Sequence, residues 1–150
     1  GTAWTVTLHG AGPVRYGMTL AELGRAMGDS LVGAPAGPEC GYLALDEAPA
    51  GMMWMIEGGR LVRVDVDSAG LPTARGAAVG MTEAEVHRLY GGNELEVQPH
   101  KYVDGGRYLV YLSPERADSG LRIVFETDGE RVTRFRAGIL PAVAYVEGCS

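Results

Sequence analysis

A chain of 150 residues, 46% hydrophobic and 21% charged, is long enough to bury a sizeable core and lacks the composition of a disordered segment. The net charge is −6 and the isoelectric point about 5.0, and each half carries −3 (5 basic against 8 acidic up to Arg75, then 8 against 11), which disfavours a nucleic-acid-binding module that needs clustered Lys and Arg. No apolar run is long enough to form a transmembrane helix; the longest is the short segment around "MMWMI".

In chain order, "WTVTLHG" reads as an opening strand, and "GMTLAELGRAMG" at residues 17–28 as a capped helix. Thr19 with Glu22 forms the capping-box pattern, in which the hydroxyl accepts from the third helical N–H and the Glu reaches back to the cap's own N–H. Gly28 suits the left-handed conformation that closes a helix. "PAGPECG" reads as loop, followed by strands "CGYLAL", "MMWMIE" and "RLVRVDVD", the last two joined at the "GG" hairpin signal of residues 58 and 59.

After a junction at "SAGLPTARG", the helix opening returns as "GMTEAEVHRLYG" at residues 80–91, identical to the first at seven of twelve positions. Thr82 with Glu85 repeats the capping box, and Gly91 repeats the stop. A short "ELEV" strand, then "RYLVYLS", "LRIVFETD" and "RVTRFRAG" follow, with "DG" at 128 and 129 as the second hairpin turn, and "AVAYVEG" reads as a closing strand. Each helix has only about two turns, so it must form by packing an apolar stripe, Ala21, Leu23, Ala26 and Met27 or Ala84, Val86, Leu89 and Tyr90.

The expected fold is therefore α+β: two tandem repeats, residues 1–75 and 76–150, each a short helix plus an antiparallel β-meander, in one compact unit whose sheet has one face covered by helices. Alternation places Val62, Val64 and Val66, with Thr133 and Phe135, on the covered side. The other side would carry Trp54, Arg63, Arg134 and Arg136, an aromatic and arginine mixture enriched at protein interfaces. The alternative is a solvated face that merely carries Arg, with Trp54 packed under a loop.

Cys40 and Cys149 lack metal-ligand spacing, and a bridge between them would tie the chain's end to the first repeat, stabilising it by about 4 to 5 kcal/mol in the chain-entropy model. Two reduced, buried thiols are the alternative. A bridge implies an oxidising compartment, and the chain opens on "GTAW" without Met or signal peptide, as a processed form does, so a secreted or periplasmic location is the expectation.

Chemistry is sparse. His9, His87 and His100 show no metal-ligand spacing, so no metal or cofactor is expected. Asp65 and Asp67 lie on the solvated side of a strand, and Asp128 with Glu130 reads as a hairpin turn. No nucleophile elbow or phosphate loop appears, and no catalytic residue is assigned. The segment "PHKYVDGGRY" at 99–108, with Tyr102 and the chain's one lysine, reads either as a contact loop or as an ordinary hairpin with a Gly-Gly turn.

The repeated order of elements resembles the tandem fold of the β-lactamase inhibitor proteins, and a single copy resembles the outer-membrane assembly lipoproteins of the SmpA/OmlA type. The matching residues are Gly17, Met18, Thr19 and Gly28, with Gly80, Met81, Thr82 and Gly91. The inhibitors carry a disulfide within each repeat, and none of their inhibitory loop residues is matched. The lipoproteins carry an N-terminal lipidated Cys, which is absent from these 150 residues and which processing or trimming could remove, so envelope anchoring before processing is left open. The resemblance implies binding of another protein rather than catalysis: an exported bacterial protein-binding or inhibitor-like module acting through its open sheet face and loops. A structural envelope protein is the alternative, a small hydrolase a weaker one, and the oligomeric state is left open.

Overall fold

The structure is a computed structural model that describes residues 3–28, 31–91 and 93–149. Both capping boxes form as drawn from the sequence. Thr19 Oγ1 accepts from the Glu22 N–H at 3.2 Å while Glu22 Oε1 accepts from the Thr19 N–H at 3.0 Å, and Thr82 with Glu85 repeats both distances. They open helices α1 (Leu20–Met27) and α2 (Glu83–Tyr90). Gly28 closes α1 in the left-handed conformation, whereas Gly91 leaves α2 with positive φ but extended ψ.

Each helix opening is stitched to a following hairpin by the same bonds. The Gly17 N–H donates to the Leu61 carbonyl and the Leu61 N–H to the Met18 carbonyl; Gly80, Val132 and Met81 repeat the pattern. Arg60 Nη1 donates to the Gly17 carbonyl at 2.8 Å, and Arg131 Nη1 to the Gly80 carbonyl at 2.8 Å. These equivalences follow from the repeated Gly-Met-Thr segment, whose backbone is aimed at a neighbouring strand in both copies.

The strands are β1 (Gly10–Ala11), β2 (Val14–Arg15), β3 (Cys40–Leu43), β4 (Met52–Glu57), β5 (Arg60–Val66), β6 (Leu95–Pro99), β7 (Arg107–Tyr111), β8 (Leu121–Thr127) and β9 (Val132–Ile139). β1 and β2 form a small hairpin; the others form one antiparallel sheet in the order β3-β4-β5-β9-β8-β7-β6. Strands of the two sequence halves therefore meet at the β5–β9 pair. Two expected strands are different. "WTVTLHG" contributes isolated bridges from Val6 to Ala11 and Thr73 and, at Gly10, the start of β1, and "AVAYVEG" forms a single 3-10 turn at Ala142–Ala144 within a strap that runs to Cys149.

The α+β expectation is overturned, because the protein is mostly β. Two eight-residue helices, each about 12 Å long, do not cover seven strands that span roughly 30 Å. Leu23 and Met27 of α1 and Val86 and Tyr90 of α2 do enter the core, but Val6, Ala11, Val14, Leu45 and Ala77, all outside the helices, complete the layer.

A bulge in each hairpin also alters which residues point inward. Ile56 faces Leu61 while Met55 faces Arg63, so Val62 is the extra residue; Thr127 faces Val132 while Glu126 faces Arg134, so Thr133 is extra. Leu61 and Val132 accordingly join the core in the places the alternation gave to Val62 and Thr133. Trp54 also belongs to this core, fully buried between Met52 and Ile56 along β4 and meeting Trp4 edge-on at 5.9 Å.

Candidate functional site

The second face of the sheet is not open. Residues 140–149 cross it as a strap, and the disulfide between Cys40 of β3 and Cys149 staples its end. Val143 is fully buried against Tyr108 and Val124, with Val110 and Val146 packed alongside. Beneath the strap lies a charge-balanced cluster. Arg63, only 3% exposed, donates through Nη1 to the carbonyls of Ala142 (2.9 Å) and Tyr145 (2.8 Å), through Nη2 to Tyr42 Oη (2.9 Å), and pairs with Asp65. Arg136, 4% exposed, donates through Nε to the Val143 carbonyl and through Nη1 to Glu126 Oε2, both at 2.6 Å. Burial pulls the Arg136 guanidinium below the usual arginine range, partly opposed by Glu126. Gly138 sits across from Arg63 because any Cβ there would run into the Val62 carbonyl and the Arg63 side chain.

The strap leaves a cleft of about 450 Å³ along its edge, where Arg63, Arg134 and Arg136 come together with Tyr42, Met53 and Glu147. Of the residues expected on an open binding face, Arg134 alone stays exposed there. Arg63 and Arg136 hold the strap instead. Trp54 cannot contact a partner at all, since it points through the sheet to the core. The covering strap has no local signal, since "AVAYVEG" at residues 142–148 has the apolar pattern of one more strand.

Tyr102 lies elsewhere, in the loop between β6 and β7. A groove of about 520 Å³ runs along residues 97–107, and it is built as a rigid turn rather than a slack link. His100 Nδ1 accepts from the N–H groups of Tyr102 and Val103, both at 3.0 Å, which places its proton on Nε2, donating to Glu126 Oε1 at 2.8 Å. The imidazole stacks on Tyr108, with ring centroids 4.5 Å apart, and the Tyr108 hydroxyl accepts from the Lys101 N–H at 3.1 Å. A Cβ on Gly106 would approach the Thr127 carbonyl to 2.6 Å, so that close packing needs glycine.

This anchored loop turns apolar side chains outward: Tyr102 is 60% exposed and Val103 41%, and Val97 on the adjoining edge strand is 49% exposed. Lys101 pairs with Glu147 of the strap at 3.3 Å, and Glu126 accepts from both His100 and Arg136, so loop and cleft adjoin through shared groups. His100 and Glu126 were not singled out from the sequence as site residues. A lone loop histidine and a strand glutamate 26 residues apart give no spacing signal.

The other acids resolve into structural roles. Asp65 pairs with Arg63, and Asp128 Oδ1 accepts from the Glu130 and Arg131 N–H groups at 2.9 Å as the hairpin turn requires. Among the described residues no cluster of His, Cys, Asp and Glu has a geometry that would hold a metal ion, and no helix is long and apolar enough to cross a membrane.

No protein-family model matches the chain, and no curated protein matches it significantly. Among solved structures, the chain is similar to an extracellular protein containing an SCP domain from Bacillus anthracis str. Ames, at 9% identity and a TM-score of 0.50 over 83% of this chain and 44% of that one. It also matches the uncharacterized protein yfeY from Escherichia coli at 15% identity and a TM-score of 0.42, over 89% and 99% of the two chains. The chain thus spans less than half of the Bacillus anthracis protein, and that likeness is one of fold alone.

Proposed function

We propose that the protein is an exported, inhibitor-like protein-binding module whose contact surface is the loop of residues 99–106 with the neighbouring cleft mouth, not an open sheet face. The observation that carries this reading is the loop itself. A turn locked by His100, Tyr108 and Gly106 presents Tyr102 and Val103 to solvent beside Val97. Preorganised loops bind well because little conformational entropy is lost on association, and tyrosine supplies large contact area with few rotatable bonds. Half-exposed Met53 and Tyr42, with Arg134, extend the surface along the cleft. The Cys40–Cys149 bridge supports an oxidising, extracytoplasmic location, and the extracellular source of one structural neighbour agrees with it.

Photocrosslinking tests the reading. A photoreactive residue at position 102 is expected to capture one saturable partner from secreted or envelope protein, while the same probe at exposed Val32 does not. Equal, non-saturable labelling from both positions would contradict it.

A further inference from the structure

His100 has a second consequence beyond anchoring the loop. Its side chain is 6% exposed, and both ring nitrogens are committed: Nε2 donates to Glu126, and Nδ1 accepts the two backbone N–H groups that form the turn. Those two N–H groups point at the lone pair on which a second proton would have to sit. Protonation therefore evicts the donors that fold residues 100–103.

The charged groups packed round the ring come from several elements. Beneath the strap, Arg63 pairs with Asp65 and Arg136 with Glu126. Glu126 on β8 accepts from His100 through Oε1 and, at 2.6 Å, from Arg136 on β9 through Oε2. Tyr108 on β7 stacks on the ring without charge. From the loop itself Asp104 lines the same groove, and Lys101 is paired with Glu147 of the strap. A second proton on the ring acts at Nδ1, where the two turn N–H groups lose their acceptor.

We infer that His100 is a pH-sensitive latch on the contact loop, holding residues 100–106 in their turn while its imidazole is neutral and releasing them when the ring takes up a second proton. The latch as a regulator of partner binding rests on the reading of that loop as the contact surface; the conformational change does not. Release therefore follows acidification, and its midpoint is that of the His100 ring. Tyr102 and Val103 then lose their ordered presentation, and affinity for a partner falls with pH.

The test is NMR of the intact, disulfide-bonded protein from about pH 8 to about pH 5. Protection factors for the Tyr102 and Val103 amides, corrected for intrinsic exchange, are expected to drop on the order of tenfold or more, because each loses its acceptor. Amides of β8 and β9 should stay protected, and the loss should share its midpoint with the His100 ring resonance. In His100→Asn, whose side-chain oxygen accepts from the N–H two residues on but does not titrate, the loop should show no such drop. Unchanged wild-type protection, or loop opening at a midpoint unrelated to the His100 ring, overturns the latch. Loop release without any change in partner affinity keeps the latch and contradicts the contact reading.

Discussion

Arg63 and Tyr145, 82 residues apart in sequence, are joined by a 2.8 Å bond from the guanidinium Nη1 to the tyrosine's backbone carbonyl. The same nitrogen also holds the Ala142 carbonyl, so one strand side chain supports the strap at two points. Arg63→Met keeps much of the apolar stem but removes these donors, and it should lower stability by about 2 to 3 kcal/mol by leaving buried acceptors unpaired. Chemical denaturation reads the loss, and hydrogen exchange should place its local part in residues 142–146.

The disulfide closes a sequence separation of 109 residues. Replacing Cys40 and Cys149 together by Ser should cost about 4 to 5 kcal/mol in the chain-entropy model. Residues 146–149 should exchange faster than the buried turn at Ala142–Ala144, which keeps its arginine bonds. Equal exchange along the whole strap would show that the arginines do not hold it independently.

Trp54 and Tyr102 should separate cleanly as stability and contact residues. Trp54→Ala empties a fully buried site and is expected to cost about 3 to 5 kcal/mol. The Trp54 indole N–H has no hydrogen-bond partner among the described residues, so Trp54→Phe should be far milder. Thermal melts of the two variants decide this.

The paired helix caps make a prediction with an internal control. Thr19→Ala and Thr82→Ala should each destabilise by about 1 kcal/mol, and by similar amounts, because the two caps share their geometry. Hydrogen bonds from the cap backbone and hydroxyl hold the Glu22 and Glu85 carboxyls below the usual carboxylate range. Their contribution is thus present above the ordinary carboxylate range and is lost as pH falls through the lowered folded-state values. Acid denaturation of the Thr variants should accordingly show a weaker pH dependence than wild type.

The caps and hairpins were legible in the sequence because their signals are local: Thr-x-x-Glu, a terminal Gly, and Gly-Gly or Asp-Gly turns. The Cys40–Cys149 bridge was legible as one of two states of the only cysteine pair. Strand alternation failed at Val62 and Thr133, where a bulge shifts the facing by one residue and no residue type announces it. Trp54 was assigned to the outer face, although alternation through Met52, Trp54 and Ile56 placed it inward. The burial of Arg63 and Arg136 was invisible because it depends on a strap whose carbonyls, not its side chains, are the partners. The His100–Glu126 pair was equally hidden, being made only when β7 and β8 come together.

The contact loop is tested most directly by affinity. Once a partner is isolated by crosslinking at position 102, calorimetric titration against wild type and Tyr102→Ala compares two proteins of the same fold, since that ring lies outside the core. A loss of roughly tenfold to a hundredfold is expected for an exposed aromatic anchor at the centre of an interface. Unchanged affinity, with an unchanged melting temperature, would contradict the account.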